Sequence, residues 1–261
     1  MDLIITGASR GIGRALALAL PPSYRVHAVA RDAEALASLA AARPGTVTYV
    51  HDIVDGALDL DLRGPAVLVH NAGLWPAKRE LVDGVERAWA VNVLGPLAFQ
   101  RPLLPRLSRI LVVGAGLMVK GRFDARRTPV GEDFSWFRTY ASTKLAFAVA
   151  MRDVAKAHPR IDVAVMHPGV VRTDLGARGG VLGWLVDRMK RRFESPETCA
   201  ARLVAFVERE RWSPPGDARW FVEDDEAPWP RVVDDAAPAV REALRSAPAF
   251  LAPEKHVEAR A

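Results

Sequence analysis

The 261-residue chain has a single cysteine, Cys199, and that scarcity excludes an intrachain disulfide framework. There is no CxxC pair and no His-rich cluster, so no metal ligand is assigned. No apolar run approaches the roughly 20 residues of a membrane span, and no integral membrane segment is expected. A secretory leader is not expected either: a strand-like run starts almost at Met1, without a charged n-region, apolar stretch and cleavage site. Cytoplasm is the expected location. Aromatic residues make up only 7% of the chain and do not interleave with the scattered Lys and Arg, so nucleic-acid binding is not expected. A formal charge of +5 and a pI near 9.7 suit a small polyanionic ligand without requiring one.

What the chain does have is an alternation of β-rich and helical patterns. Residues 2–6 form a short apolar strand, and 11–20 a helix that Pro21-Pro22 stops by removing backbone donors. Further strand patterns lie at 24–30, 46–50, 66–69, 110–113, 161–166 and 218–222. Helical patterns lie at 32–42, at 85–107 (perturbed by Pro96, Pro102 and Pro105), at 140–158 and at 196–208. Strands alternating with helices require right-handed crossovers and a parallel sheet covered on both faces. The expected fold is α/β: a Rossmann-type three-layer α/β/α sandwich with a mainly parallel seven-stranded sheet. One domain covers residues 1–261, with a ligand-side excursion around 169–195 and a Pro-rich, weakly patterned tail around 223–261. Cys199, in a helix after Pro196, reads as a buried thiol rather than a nucleophile.

The run Thr6-Gly7-Ala8-Ser9-Arg10-Gly11-Ile12-Gly13 leaves the first strand and opens the first helix. Glycines there allow a tight turn and a close approach of backbone to a pyrophosphate, while the helix start offers free N–H groups. Gly7, Ser9, Arg10, Gly11, Ile12 and Gly13 are therefore candidate cofactor contacts. Arg31, just after the second strand, suits the 2′-phosphate of NADPH, and Arg10 adds a second positive charge. NADPH/NADP+ is the expected cofactor. The competing reading gives Asp32 the ribose hydroxyls of NAD; otherwise Asp32 caps its helix.

Tyr140 and Lys144 stand four apart in one helix, one turn from each other. A carbonyl that receives hydride needs a proton, and a Tyr hydroxyl titrates near 10, too high for easy shuttling. A neighbouring ammonium favours the phenolate and lowers that value.

These residues carry a pattern that resembles the classical short-chain dehydrogenase/reductase family over roughly the first 225 residues. Thr6 to Gly13 is similar to its glycine motif, and His70-Asn71-Ala72-Gly73 to its Asn-Asn-Ala-Gly motif with His in the first place. The resemblance implies that Asn71, Ala72 and Gly73 touch the cofactor and that Asp52 contacts the adenine. It makes Tyr140 and Lys144 the catalytic pair, with Lys144 also on the nicotinamide ribose. Asn92 would hold a water linked to that lysine. Pro168-Gly169-Val170-Val171-Arg172-Thr173 would close over the nicotinamide, with Pro168, Gly169, Val171 and Thr173 as contacts. A homodimer or homotetramer is implied, with the tail able to cover one interface.

The chain departs from the family at the fifth strand. The family places Ser at its end; here Ala115 aligns with it, or Gly114 with a one-residue shift. Neither side chain donates, and losing an oxyanion donor costs about 3 kcal/mol. Ser135, Thr128 or Thr139 could supply the missing hydroxyl. Met118, Phe123, Phe134 and Trp136, with Trp75, are expected to form an apolar wall near the nicotinamide. Leu175, Leu182, Trp184, Leu185 and Met189 resemble the family's substrate lid. The expected function is NADPH-dependent reduction of a moderately apolar carbonyl, or oxidation of the alcohol; the alternative is a weak or silent NADPH-binding relative.

Overall fold

A computed structural model describes residues 1–172 and 193–247. Thr173, Leu175, Trp184, the rest of the expected lid and the end of the tail lie outside the described residues. The chain begins with β1 (Asp2–Thr6), α1 (Gly11–Ala19), β2 (Arg25–Ala30), α2 (Ala33–Ala42) and β3 (Val47–Val50). β4 (Ala66–His70) follows, then a small hairpin of β5 (Leu81–Val82) and β6 (Val85–Glu86). The helix expected at 85–107 is a sequence of short pieces. They are α3 (Arg87–Trp89), a π turn (Ala90–Leu94), α4 (Gly95–Gln100) and a 3-10 turn (Arg101–Arg106). Pro96, Pro102 and Pro105 each lack the N–H that an unbroken α-helix would use. Next come β7 (Leu107–Val113), α5 (Trp136–Ala157), β8 (Asp162–His167), α6 (Pro196–Val207), β9 (Ala218–Val222), β10 (Asp225–Ala227) and α7 (Arg231–Arg245).

The main sheet has the order β10-β9-β8-β7-β4-β1-β2-β3 and eight strands, one more than the sequence pattern indicates. Seven run parallel; β10 folds back antiparallel on β9 after Glu223, which takes a positive φ of 57°. Two of the three residues of β10 are acidic and exposed, so it has no apolar signature, and its charges blunt the sheet edge. Part of the tail region is helical. α7 buries Val233, Ala236, Ala237, Val240 and Ala243 at helical spacing opposite a charged face, although Pro238 lies inside it and reads as a helix breaker.

The sheet divides the core in two. One cluster lies between the sheet and α4, α5 and α7, and includes Trp89, Phe99, Ile110 and Leu145. The other lies beneath α1, α2 and α6, and includes Leu16, Leu36, Leu203 and Phe206. Cys199 is fully buried there and its thiol is pushed up to about 12, as expected of an inert structural cysteine. The strand order reverses between β4 and β1, which opens a crevice at their carboxyl ends.

His70, at the end of β4, is buried and meets Phe147 edge-on at 5.2 Å. Its Nε2–H donates to Gln100 Oε1 at 2.8 Å, while Nδ1 has no partner among the described residues. Burial pushes this imidazole from 6.5 down to about 4. As pH falls through that window the unfolded chain takes up a proton that the folded chain refuses, so stability falls, by at most about 3 kcal/mol. Thermal melts should show a smaller loss of melting temperature between about pH 7 and pH 4.5 in His70→Asn than in the wild type. Equal losses would mean that other groups set the acid limit.

Candidate active site

The crevice is closed by hydrogen bonds between loops that are far apart in sequence. Thr6 Oγ1 accepts from the backbone N–H groups of Asn71 and Ala72, each at 3.1 Å. Asn71 Nδ2 donates to the carbonyls of Thr6 and Gly7. Gly7 has φ +70° and Gly11 +55°, the left-handed region that glycine enters freely. A Cβ on Gly13 would stand 2.4 Å from Asn71 Nδ2 and 2.5 Å from Gly7 O, so only glycine fits. α1 starts at Gly11 after an extended Arg10 whose side chain makes no cap bond. An uncapped helix start on a glycine loop suits a pyrophosphate. The clamping role of Thr6 depends on a loop 65 residues away, and the glycine motif alone does not reveal it.

Asp32 accepts from Ala35 N at 2.9 Å and caps α2, so its carboxylate already has a structural partner. Exposed Arg31 reaches Asp52 Oδ2 at 3.3 Å, and Asp52 Oδ1 accepts from Val54 N. Asp52 therefore steadies Arg31 at the rim of the crevice.

α5 enters from the other side. Tyr140 and Lys144 lie on one face, 5% and 9% exposed. Lys144 Nζ donates to Val113 O at 3.1 Å, at the end of β7, and sits 5.9 Å from the Tyr140 ring centre. A Cβ at Gly73 would be 3.4 Å from Lys144 Nζ and 3.6 Å from Asn92 Oδ1, so these three residues converge. Asn92 projects from the π turn. Its Oδ1 accepts from Leu74 N at 2.7 Å, and its Nδ2 donates to Leu74 O and Thr143 Oγ1. Its side chain thus braces the Gly73-Leu74 strap against α5.

The electrostatics differ from the sequence expectation. Burial raises the Tyr140 phenol above its usual 10 rather than lowering it, and pushes Lys144 down to about 8. Both charged forms lose hydration on burial, and that loss is the cause of each shift. The cover over the phenol is Trp75, whose ring is parallel to Tyr140 within 1° at 4.4 Å. Trp136, 43% exposed, stacks on Trp75 in turn at 5.7 Å.

Only part of the expected apolar wall forms. Trp75 and Trp136 meet beside Tyr140, but Met118 is fully buried and Phe123 packs on Trp89 at 5.2 Å. Both turn into the core because residues 116–121 lie tightly against α5: a Cβ on Gly121 would meet Ala141 O at 2.9 Å. Ala115 is extended at the end of β7 and 8% exposed. A side chain at Gly114 would run into Met166 O, Val165 and Trp220, so that position faces packed sheet. A Cβ at Gly116 would touch the His167 ring at 2.8 Å, which places an imidazole beside Ala115 that the sequence motifs did not single out. Thr128 gives its proton to Asp133, and Thr139 Oγ1 accepts from Ser135 N at the start of α5. Ser135 is half-buried and makes no side-chain cap bond.

At the mouth of the excursion, Gly169 has φ +89°, and a Cβ there would stand 3.2 Å from Glu223 Oε1. Pro168 O accepts from Arg202, which also grips Glu194 through two nitrogens. Val171 bridges to Glu194. Among the described residues no group of three or more His, Cys, Asp or Glu gathers to hold a metal, and no helix is long and apolar enough to cross a membrane.

Comparison with known proteins agrees with this geometry. The short chain dehydrogenase family model matches residues 2–179. The chain is 31% identical over 192 residues to bovine dehydrogenase/reductase SDR family member 12, covering 65% of this chain and 60% of that protein. It is 31% identical over 212 residues to human retinol dehydrogenase 14, covering 67% and 62%. The chain thus spans less than two thirds of either relative's length. A short-chain dehydrogenase/reductase from Serratia marcescens shares the fold with a TM-score of 0.62 at 21% identity, covering 85% of this chain and 96% of that one. With the glycine crevice facing a buried Tyr-Lys pair, and the family model spanning most of the chain, the protein belongs to the short-chain dehydrogenase family.

Proposed function

We propose that the chain is an NADPH-dependent oxidoreductase acting on a moderately apolar carbonyl or alcohol in the cytoplasm. The observation that carries this reading is the placement of Tyr140 and Lys144 across the crevice from the glycine loop, with Gly73 and Asn92 packed against the lysine. When bound, NADPH supplies hydride from C4 of its nicotinamide. The first turn of α1 holds the pyrophosphate, and Arg10 and Arg31 hold the 2′-phosphate. Lys144 serves the ribose, Tyr140 protonates the substrate oxygen, and Asn92 keeps both in register. Pro168, Gly169 and Val171 would lie against the nicotinamide. Trp75, Ser135 and Trp136 are the substrate-side candidates among the described residues, an assignment in keeping with the retinol dehydrogenase name of the human relative.

A second reading, an NADPH-binding protein with weak or no turnover, has two observations behind it: the missing hydroxyl at Ala115 and the phenol covered by Trp75. NADPH titration followed by a panel of carbonyl and alcohol substrates separates the two. Binding without any NADPH oxidation favours the second.

The cofactor preference is expected to exceed about tenfold in dissociation constant for NADPH over NADH. Arg31→Ala should weaken NADPH far more than NADH; equal constants for the two cofactors in the wild type would reject the assignment.

Tyr140→Phe should remove nearly all turnover while NADPH still binds. If most turnover survives, the proton comes from elsewhere.

Lys144 gives a stability test that needs no substrate. Its folded value, about 8, lies below its ordinary 10.5. Between these limits the folded chain releases a proton that the unfolded chain keeps, so stability rises with pH across that window. Lys144→Met should abolish that rise and stabilise the protein near neutrality, by about 1 to 3 kcal/mol, while cofactor affinity falls. Unchanged or lower stability in denaturant melts would mean that the ammonium is not held at a cost.

A further inference from the structure

The reaction proposed above leaves one requirement unmet. Oxygen that gains negative charge is stabilised by donors already in place, and losing one costs roughly 10²- to 10³-fold in rate. Tyr140 is one donor. The end of β7 offers none, because Gly114 faces packed sheet, Ala115 ends in a methyl group, and Gly116 lies against His167. Of the nearby hydroxyls, Thr128 donates to Asp133, Thr143 donates to Tyr140 O and Ser142 donates to Arg122 O.

Two buried ring nitrogens near the end of β7 and the phenol have no partner among the described residues, His167 Nδ1 and Trp75 Nε1, and of these rings the indole is the one stacked on Tyr140. Trp75 Nε1 is buried and makes no hydrogen bond among the described residues. A buried tryptophan N–H ordinarily finds an acceptor, and leaving it unpaired costs about 1–3 kcal/mol. Its ring is also held in place: it lies flat on Tyr140 at 4.4 Å and is backed by Trp136. The residue before it, Leu74, is held through both its N–H and its carbonyl by Asn92. The donor therefore sits on a strap that Asn92 ties to Thr143 of α5, the residue before Lys144, the kind of preorganisation that oxyanion stabilisation requires. Trp89 Nε1 is also unpartnered, but its ring is fully buried in the core against Phe123.

We propose that the indole Nε1–H of Trp75 is the second hydrogen-bond donor to the substrate oxygen, in place of the hydroxyl that Ala115 lacks. The inference rests on the reading of the chain as a carbonyl reductase. It makes Trp75 a catalytic residue, since its N–H touches the reacting oxygen, and it explains why a tryptophan follows the Asn71-Ala72-Gly73 loop.

Trp75→Phe keeps an aromatic face on Tyr140 and deletes the donor, together with part of the ring area stacked between Tyr140 and Trp136. Single-turnover NADPH oxidation on a simple ketone should fall roughly 10²-fold with NADPH affinity unchanged. Adding Ala115→Ser to that variant should recover at least about tenfold, because a hydroxyl then reaches the same oxygen from the strand end. A rate within about threefold of wild type in Trp75→Phe overturns the proposal. So does a large loss in His167→Phe with Trp75→Phe unaffected, which would assign the donor to the imidazole. A second measurement does not depend on turnover. In protein with 15N-labelled indoles, the resonance missing from Trp75→Phe should move downfield when ketone is added to the NADP+ complex, where hydride transfer is impossible. A shift without any turnover with NADPH keeps the donor and rejects the reductase reading; turnover without a shift does the reverse. Failure of the ketone to bind overturns both.

Discussion

Gly13 and Asn71 approach each other so closely that no side-chain carbon fits between them, and the geometry of the crevice depends on that contact. The missing Cβ lets α1 sit directly on the loop after β1, and Asn71 then ties that loop to the end of β4. Two loops 65 residues apart become one rigid floor. Its rigidity carries outward through Gly73 and Leu74 to Asn92, and from there to α5. A larger residue at 13 would push α1 off the loop and separate the phosphate cradle from the Tyr-Lys pair.

The same compactness sets the electrostatic character of the site. Tyr140 and Lys144 are shielded by Trp75, β7 and the glycine strap, so burial weakens the charged form of each. A dry pocket raises the cost of any unpaired charge and, equally, the worth of any correctly aimed donor. Polar atoms that cost stability in the free protein, such as an unpaired indole N–H or a desolvated ammonium, are the ones positioned to respond to a ligand.

Much of this was legible in the sequence because it depends on spacing. Glycines between a strand and a helix, and Tyr and Lys one turn apart, have the same geometry in almost any fold that contains them. Asp32 as a helix cap was legible for the same reason. What could not be read depends on partners brought from afar. Nothing local to Trp75 announces that it will lie flat on Tyr140, and nothing local to Met118 or Phe123 shows that both turn inward. β10 escaped notice because acidic edge strands lack alternation, and α7 because a proline in its interior argues against a helix. The raised value of the Tyr140 phenol was not legible because sequence gives the separation of two groups but not their access to water.

α7 packs along α5 and shares its core cluster with the sheet. Arg152 reaches Asp234 at 2.6 Å, and Arg241 grips Asp153 with two nitrogens at 2.8 Å each. Asp234 and Arg241 lie in a part of the chain that contributes no residue to the chemistry. Yet α5 is a single 22-residue rod carrying both Tyr140 and Lys144, so a clamp near its far end fixes the angle at which its near end enters the crevice. The C-terminal helix acts as a counterweight on a lever. Evolutionary drift in a region remote from the cofactor would therefore be felt as altered alignment of the proton donor, with no change in any group that touches the ligand.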